Sequence, residues 1–118
     1  MTEHVPIIDF PEALNRTLGD VDFLQTMLYE FQRITPDFLN RIDRALHDRD
    51  MDSLTRDAHQ FKGSAANLGI KGIAAIALEL EKAARIGRPA EGEYLFARMQ
   101  DAVNRFNDQL DATDWSSL

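Results

Sequence analysis

The chain of 118 residues contains no cysteine, so neither a disulfide framework nor thiol chemistry is open to it. This is compatible with a reducing cytoplasm, the expected location. Cationic residues are in short supply: 13 Lys and Arg against 20 Asp and Glu give a formal charge of −7. Such a balance argues against nucleic acid as the main partner, because phosphate backbones are held by clustered Lys and Arg. No apolar run approaches the roughly 20 residues of a membrane span, and no basic stretch followed by an apolar core opens the chain, so membrane insertion is not expected. Strand-like alternation, internal repeats and glycine-rich nucleotide loops are missing as well.

What remains is 44% hydrophobic and 28% charged residues, ordinary for a soluble protein and enough for one domain with one core. Residues 1–8 show no periodicity and read as a loosely held arm. Asp9-Phe10-Pro11-Glu12 reads as a helix start, with Asp9 as cap, Pro11 in the first turn and Glu12 completing a capping-box-like pair. Phe10, Leu14 and Leu18 give this short helix an apolar face, and Gly19 stops it. Asp20 or Asp22 caps the next element, where Leu24, Met27, Leu28, Phe31, Phe38, Ile42, Ala45 and Leu46 keep helical spacing as far as His47. Pro36 interrupts this run but not its phase, which predicts one long helix bent near Pro36, with two helices as the alternative.

Asp50 or Asp52 caps a third helix running to about Leu68, ended by Gly69. Ile70, Ile73, Ala74, Ala77, Leu80 and Ala84 mark a partner helix ending at Ile86-Gly87. So short a connection forces the two to pack antiparallel. After a Gly87-Arg88-Pro89 loop, Leu95, Met99, Ala102, Phe106 and Leu110 form the seam of a last helix, which frays into residues 111–118. The predicted fold is all-α: an antiparallel four-helix bundle over 9–110 with a short additional helix at its N-terminal entrance. No self-association surface stands out, so a monomer is expected.

The third helix carries the chemistry. Leu54, Ala58, Phe61, Ala65 and Leu68 form one buried stripe, and at about 100° per residue His59 points some 140° away from it, into solvent. Lys62 and Gly63 follow one turn later on that side, and Arg56 precedes by one turn. Arg56, Lys62 and Lys71 make a cationic spot on an acidic chain, suited to a phosphoryl group and an acidic partner pocket. An exposed imidazole, with an ordinary pKa of roughly 6.5, is mostly neutral at pH 7 and nucleophilic. Gly63 costs about 0.5–1 kcal/mol relative to alanine inside a helix, which asks for a reason: close approach of a partner, or tight packing within the bundle. His4 and His47 sit in the arm and at a helix end, where no role is needed.

His59-x-x-Lys62-Gly63-Ser64, followed by Leu68-Gly69, resembles the signature of histidine phosphotransfer (HPt) domains of multistep phosphorelays. The order of helices from about residue 9 to residue 110 is similar to that family's layout. The resemblance implies that His59 accepts a phosphoryl group from the aspartyl phosphate of one receiver domain, on a hybrid sensor histidine kinase. It would then pass the group to the aspartate of a response regulator. Lys62 would offset the phosphoryl charge, and Gly63 would leave room for the partner's loops. Ser64 and Asn67 lie towards the flank of that face, either donating a hydrogen bond there or serving local packing. Thr55, Arg56, Gln60, Asn67 and Lys71 are the exposed positions expected to set partner choice. The chain is expected to bind no cofactor or metal of its own, with Mg²⁺ supplied by the receiver.

Other readings fare worse on the residues. An autophosphorylating kinase needs a nucleotide-binding segment, and Gln60 stands where kinase phosphoacceptor motifs carry an acid. A carboxylate-bridged metal bundle needs inward Glu with Glu-x-x-His pairs; none occurs, and Glu79 and Glu81 face divergent directions. A bundle that binds signalling partners without chemistry shares the fold and is separated only by the behaviour of His59.

Overall fold

The computed structural model describes residues 6–118, and all its regular elements are helical. In chain order they are α1 (Phe10–Arg16), α2 (Val21–His47), α3 (Met51–Asn67), α4 (Lys71–Arg85) and α5 (Pro89–Asp111), followed by a 3-10 turn at Trp115–Ser117. Three starts are set by aspartates whose side chains accept an otherwise unpaired backbone N–H: Asp9 from Glu12, Asp20 from Phe23 and Asp50 from Ser53. Glu12 does not close a capping box. Its carboxylate takes Arg16, because the Asp9 N–H is already donated to the Gly69 carbonyl at 2.8 Å.

Helix α2 runs unbroken through Pro36, which excludes the two-helix alternative. The proline lies on the exposed side, while buried Thr35 donates its hydroxyl to the Phe31 carbonyl at 2.7 Å. Leu24, Leu28, Phe31, Phe38, Ile42 and Leu46 point inward from it. They meet Leu54, Ala58, Phe61 and Ala65 of α3 and Leu95, Met99, Phe106 and Leu110 of α5 in one core. Three phenylalanines mark its centre: Phe61 stacks on Phe31 at 5.3 Å between centroids, and Phe106 meets Phe31 edge-on at 5.4 Å.

The α3–α4 hairpin carries the site. Its turn is held by Gly69, which adopts φ +69° and lies so close to α1 that a Cβ would come within 2.9 Å of the Ala13 nitrogen. Only glycine meets both demands without strain. Small residues on the facing surfaces, Ala58, Ala65, Ala77 and Ala84, are buried and let the two helices lie close together.

Two expectations about the flanks need correction. Of the arm, residues 1–5 lie outside the described residues, but Ile7 and Ile8 are not loose. Ile7 and Ile8 are buried; the Ile7 carbonyl accepts from the Gly72 N–H, and Ile8 exchanges two hydrogen bonds with the Gln109 side chain. Neither backbone pairing leaves a periodic trace in sequence. Nor does the segment after α5 simply fray. Asp114 caps the 3-10 turn, and Trp115 packs on Phe10 at 6.0 Å and on Tyr29 at 6.5 Å.

Candidate functional site

His59 stands at mid-length on α3 with its side chain 58% exposed, as the position of the apolar stripe requires. The ring is nevertheless anchored. Its Nδ1 lies 3.1 Å from both carboxylate oxygens of Glu81, a residue of α4. The Glu81 side chain is only 7% exposed and also receives the Lys62 ammonium at 3.3 Å and the Arg85 guanidinium at 2.7 Å. Burial pushes the Glu81 carboxyl up, but hydrogen bonds from Arg85, His59 and Lys62 outweigh it and hold the group down at about 2. Glu81 is therefore a carboxylate at neutral pH and can only accept.

That fixes the ring. An acceptor-only partner requires Nδ1 to carry the hydrogen, so the lone pair of the neutral imidazole resides on Nε2. Lys62 approaches Nδ1 at 3.4 Å, but two donors cannot bond each other; its attraction is to Glu81. One carboxylate set against the Lys62 and Arg85 cations leaves a positive charge in surplus beside the imidazole.

A groove of roughly 570 Å³ runs from the imidazole towards the α3 N-terminus, lined among others by Thr55, Arg56, His59, Gln60, Ala84 and Arg85. Thr55, Arg56 and Gln60 are thus brought together with His59. The Thr55 hydroxyl is engaged on the Met51 carbonyl and Arg56 on the Ser53 hydroxyl. At Gly63 an added Cβ would meet nothing within 4 Å, so packing within the bundle does not demand the glycine. Ser64 is half-buried and Asn67 exposed, and neither lines this groove.

Lys71 is not beside His59. It begins α4 at the hairpin turn, level with the end of α3, and its ammonium pairs with Asp9 at 2.8 Å. The eight residues from His59 to Asn67 rise about 12 Å along the helix. The cationic spot is made instead by Lys62, Arg85 and Arg56. Glu81 and Arg85 escaped the sequence reading, although a signal existed: in an antiparallel hairpin turning at Ile70, His59 and Glu81 are equally far from the turn. Glu81 also interrupts the small-apolar face of Ala77, Leu80 and Ala84. Glu79 and Glu81 do diverge, Glu79 reaching Arg98 on α5.

Among the described residues, no group of His, Cys, Asp and Glu could hold a metal ion, and no helix is long and apolar enough to cross a membrane. The family model described as the Hpt domain matches residues 26–116. The chain belongs to the Hpt domain family. Its function is histidine phosphotransfer in a phosphorelay. Among solved structures, this Hpt domain is similar to histidine-containing phosphotransfer protein B (HptB) from Pseudomonas aeruginosa PAO1, with 24% identity and a TM-score of 0.80, over 94% of this chain and 100% of that one. This likeness supports the fold of the Hpt domain. The comparison with curated proteins gave no match.

Proposed function

We propose that His59 is the phosphoacceptor and that its Nε2 is the atom that carries the group. The observation behind this reading is the Nδ1–Glu81 contact at 3.1 Å, which commits Nδ1 to donation and leaves Nε2 as the exposed nucleophile. Nε2 attacks the phosphorus of an aspartyl phosphate on a receiver domain; the N–P bond forms as the P–O bond to the carboxylate breaks. A second receiver, that of a response regulator, then takes the group onto its own aspartate. Phosphoryl transfer of this kind needs positioning and charge compensation more than covalent assistance from the carrier. Mg²⁺ comes with the receiver. This chain supplies the nucleophile, the Lys62 and Arg85 cations beside it, and the clearance at Gly63 that admits the partner's loops.

The chain acts as a phosphorylated carrier rather than as a kinase, working as a cytoplasmic monomer between a hybrid sensor kinase and a response regulator. Thr55, Arg56 and Gln60 along the groove contribute to partner choice. The test is incubation with receiver domains bearing aspartyl phosphate. Acid-labile label is expected on the parent and absent from His59→Gln, with the helical circular dichroism of both unchanged. Label on the variant equal to the parent's would overturn the assignment. Lys62→Ala is expected to be folded and to accept label several-fold more slowly.

A further inference from the structure

We propose that the seam between α2 and α5 is a second binding site, one that takes a short, uncharged, extended segment of a partner protein. Around the bundle, α2 and α4 each border both α3 and α5, so this seam lies across the molecule from the α3–α4 hairpin and His59. A groove of roughly 340 Å³ follows it. Four side-chain amides line the groove, Gln32 and Asn40 from α2 and Gln100 and Asn107 from α5, and none of its lining side chains is ionisable. Such a neutral stretch is distinctive in a chain with 28% charged residues. The His59 groove and the groove between α4 and α5 are both lined by carboxylates together with arginines.

Hydrogen bonding inside the groove leaves donors and acceptors to spare. Gln32 Nε2 donates to Asn107 Oδ1 at 2.9 Å. A side-chain amide holds two donors and one acceptor oxygen, so this pair still offers the Gln32 oxygen and the Asn107 amide hydrogens. Asn40 and Gln100 are exposed, and among the described residues neither side chain has a partner. Pro36, also in the lining, has no N–H to give the Gln32 main-chain carbonyl four residues earlier. Groups of this kind match the N–H and C=O of an extended main chain, while Pro36, Leu39 and Val103 give its side chains apolar contact. A helix satisfies its main chain internally and would cover these amides without pairing them. Nucleic acid calls for cations, which the lining lacks, and a sugar ring favours an aromatic face, which it lacks too. From Gln32 to Asn40 the helix rises about 12 Å, the span of about four extended residues at roughly 3.3 Å each.

The experiment adds a capped hexapeptide of alternating threonine and valine, uncharged and strand-favouring, to the nitrogen-15-labelled full chain and follows the side-chain amide signals. Saturable shifts are expected at Gln32, Asn40, Gln100 and Asn107, with the ring signals of His59 unmoved. Maltohexaose and a capped helical peptide of alanine and glutamine are expected to leave the four amides unshifted. No saturable shift with the hexapeptide overturns the proposal, and so does tighter binding of either other probe. Gln100→Glu and Asn107→Asp each place a negative charge in the groove at nearly unchanged shape, and an aspartate at 107 still accepts from Gln32, so the fold is kept. Each variant should bind the hexapeptide about tenfold more weakly or worse. A folded variant that binds it as tightly as the parent overturns the assignment. Labelling of His59 is a separate measurement, so the phosphotransfer reading stands or falls independently of this site.

Discussion

At the scale of single residues, the site is governed by a buried anion rather than by the surface cation that sequence reasoning singled out. Glu81 has its carboxyl held well below the ordinary 4.5, at about 2. A group depressed in the folded state stabilises it above the unfolded value and loses that contribution as pH falls through the folded one. Acid titration of the parent, followed by urea denaturation, should therefore show stability declining between about pH 4.5 and 2, by a few kcal/mol. In Glu81→Gln that segment of the curve should flatten. Gly63 offers an independent check. Since a methyl there meets nothing, Gly63→Ala should raise stability by about 0.5–1 kcal/mol. Gly63→Gln, in contrast, should keep the fold and slow transfer from a phosphorylated receiver several-fold. A destabilised alanine variant would show that the glycine serves packing after all.

At the scale of elements, the helices were legible because each carries a continuous apolar stripe, with aspartate caps opening α1, α2 and α3 and glycines stopping α1, α3 and α4. Those signals are local and survive without knowledge of the rest of the chain. Lost to such reading were the features that exist only between elements. The Glu81 contact appears once α3 and α4 are placed in register. The pairing of Ile7 with Gly72 and of Ile8 with Gln109 joins segments far apart in sequence and has no period. Lys71 was misplaced for a related reason: the helical wheel gives angle but not the distance along the axis. Two variants probe the elements directly. Asp50→Ala removes the cap bonds to the Ser53 N–H and hydroxyl and should cost about 1 kcal/mol in urea titration. Gly69→Ala should cost more than that, since it must accept both the positive φ and the contact with Ala13.

At the scale of the whole molecule, one core is closed at the hairpin-turn end by pieces from both flanks. Ile8 is 1% exposed and tied to α5, and Trp115 seals Phe10 and Tyr29. Ile8→Ala should lower global stability by about 2–4 kcal/mol, read from the urea midpoint, while leaving transfer rates of the folded fraction unchanged. The chain contains a single tryptophan, so its emission should shift red when this seal opens and stay indifferent to phosphorylation of His59. This closure has a practical corollary. The flanks are stapled together roughly 15 Å along α3 from the imidazole, so a bead, sensor chip or fluorescent label attached at either flank is held about three helical turns away from the ring.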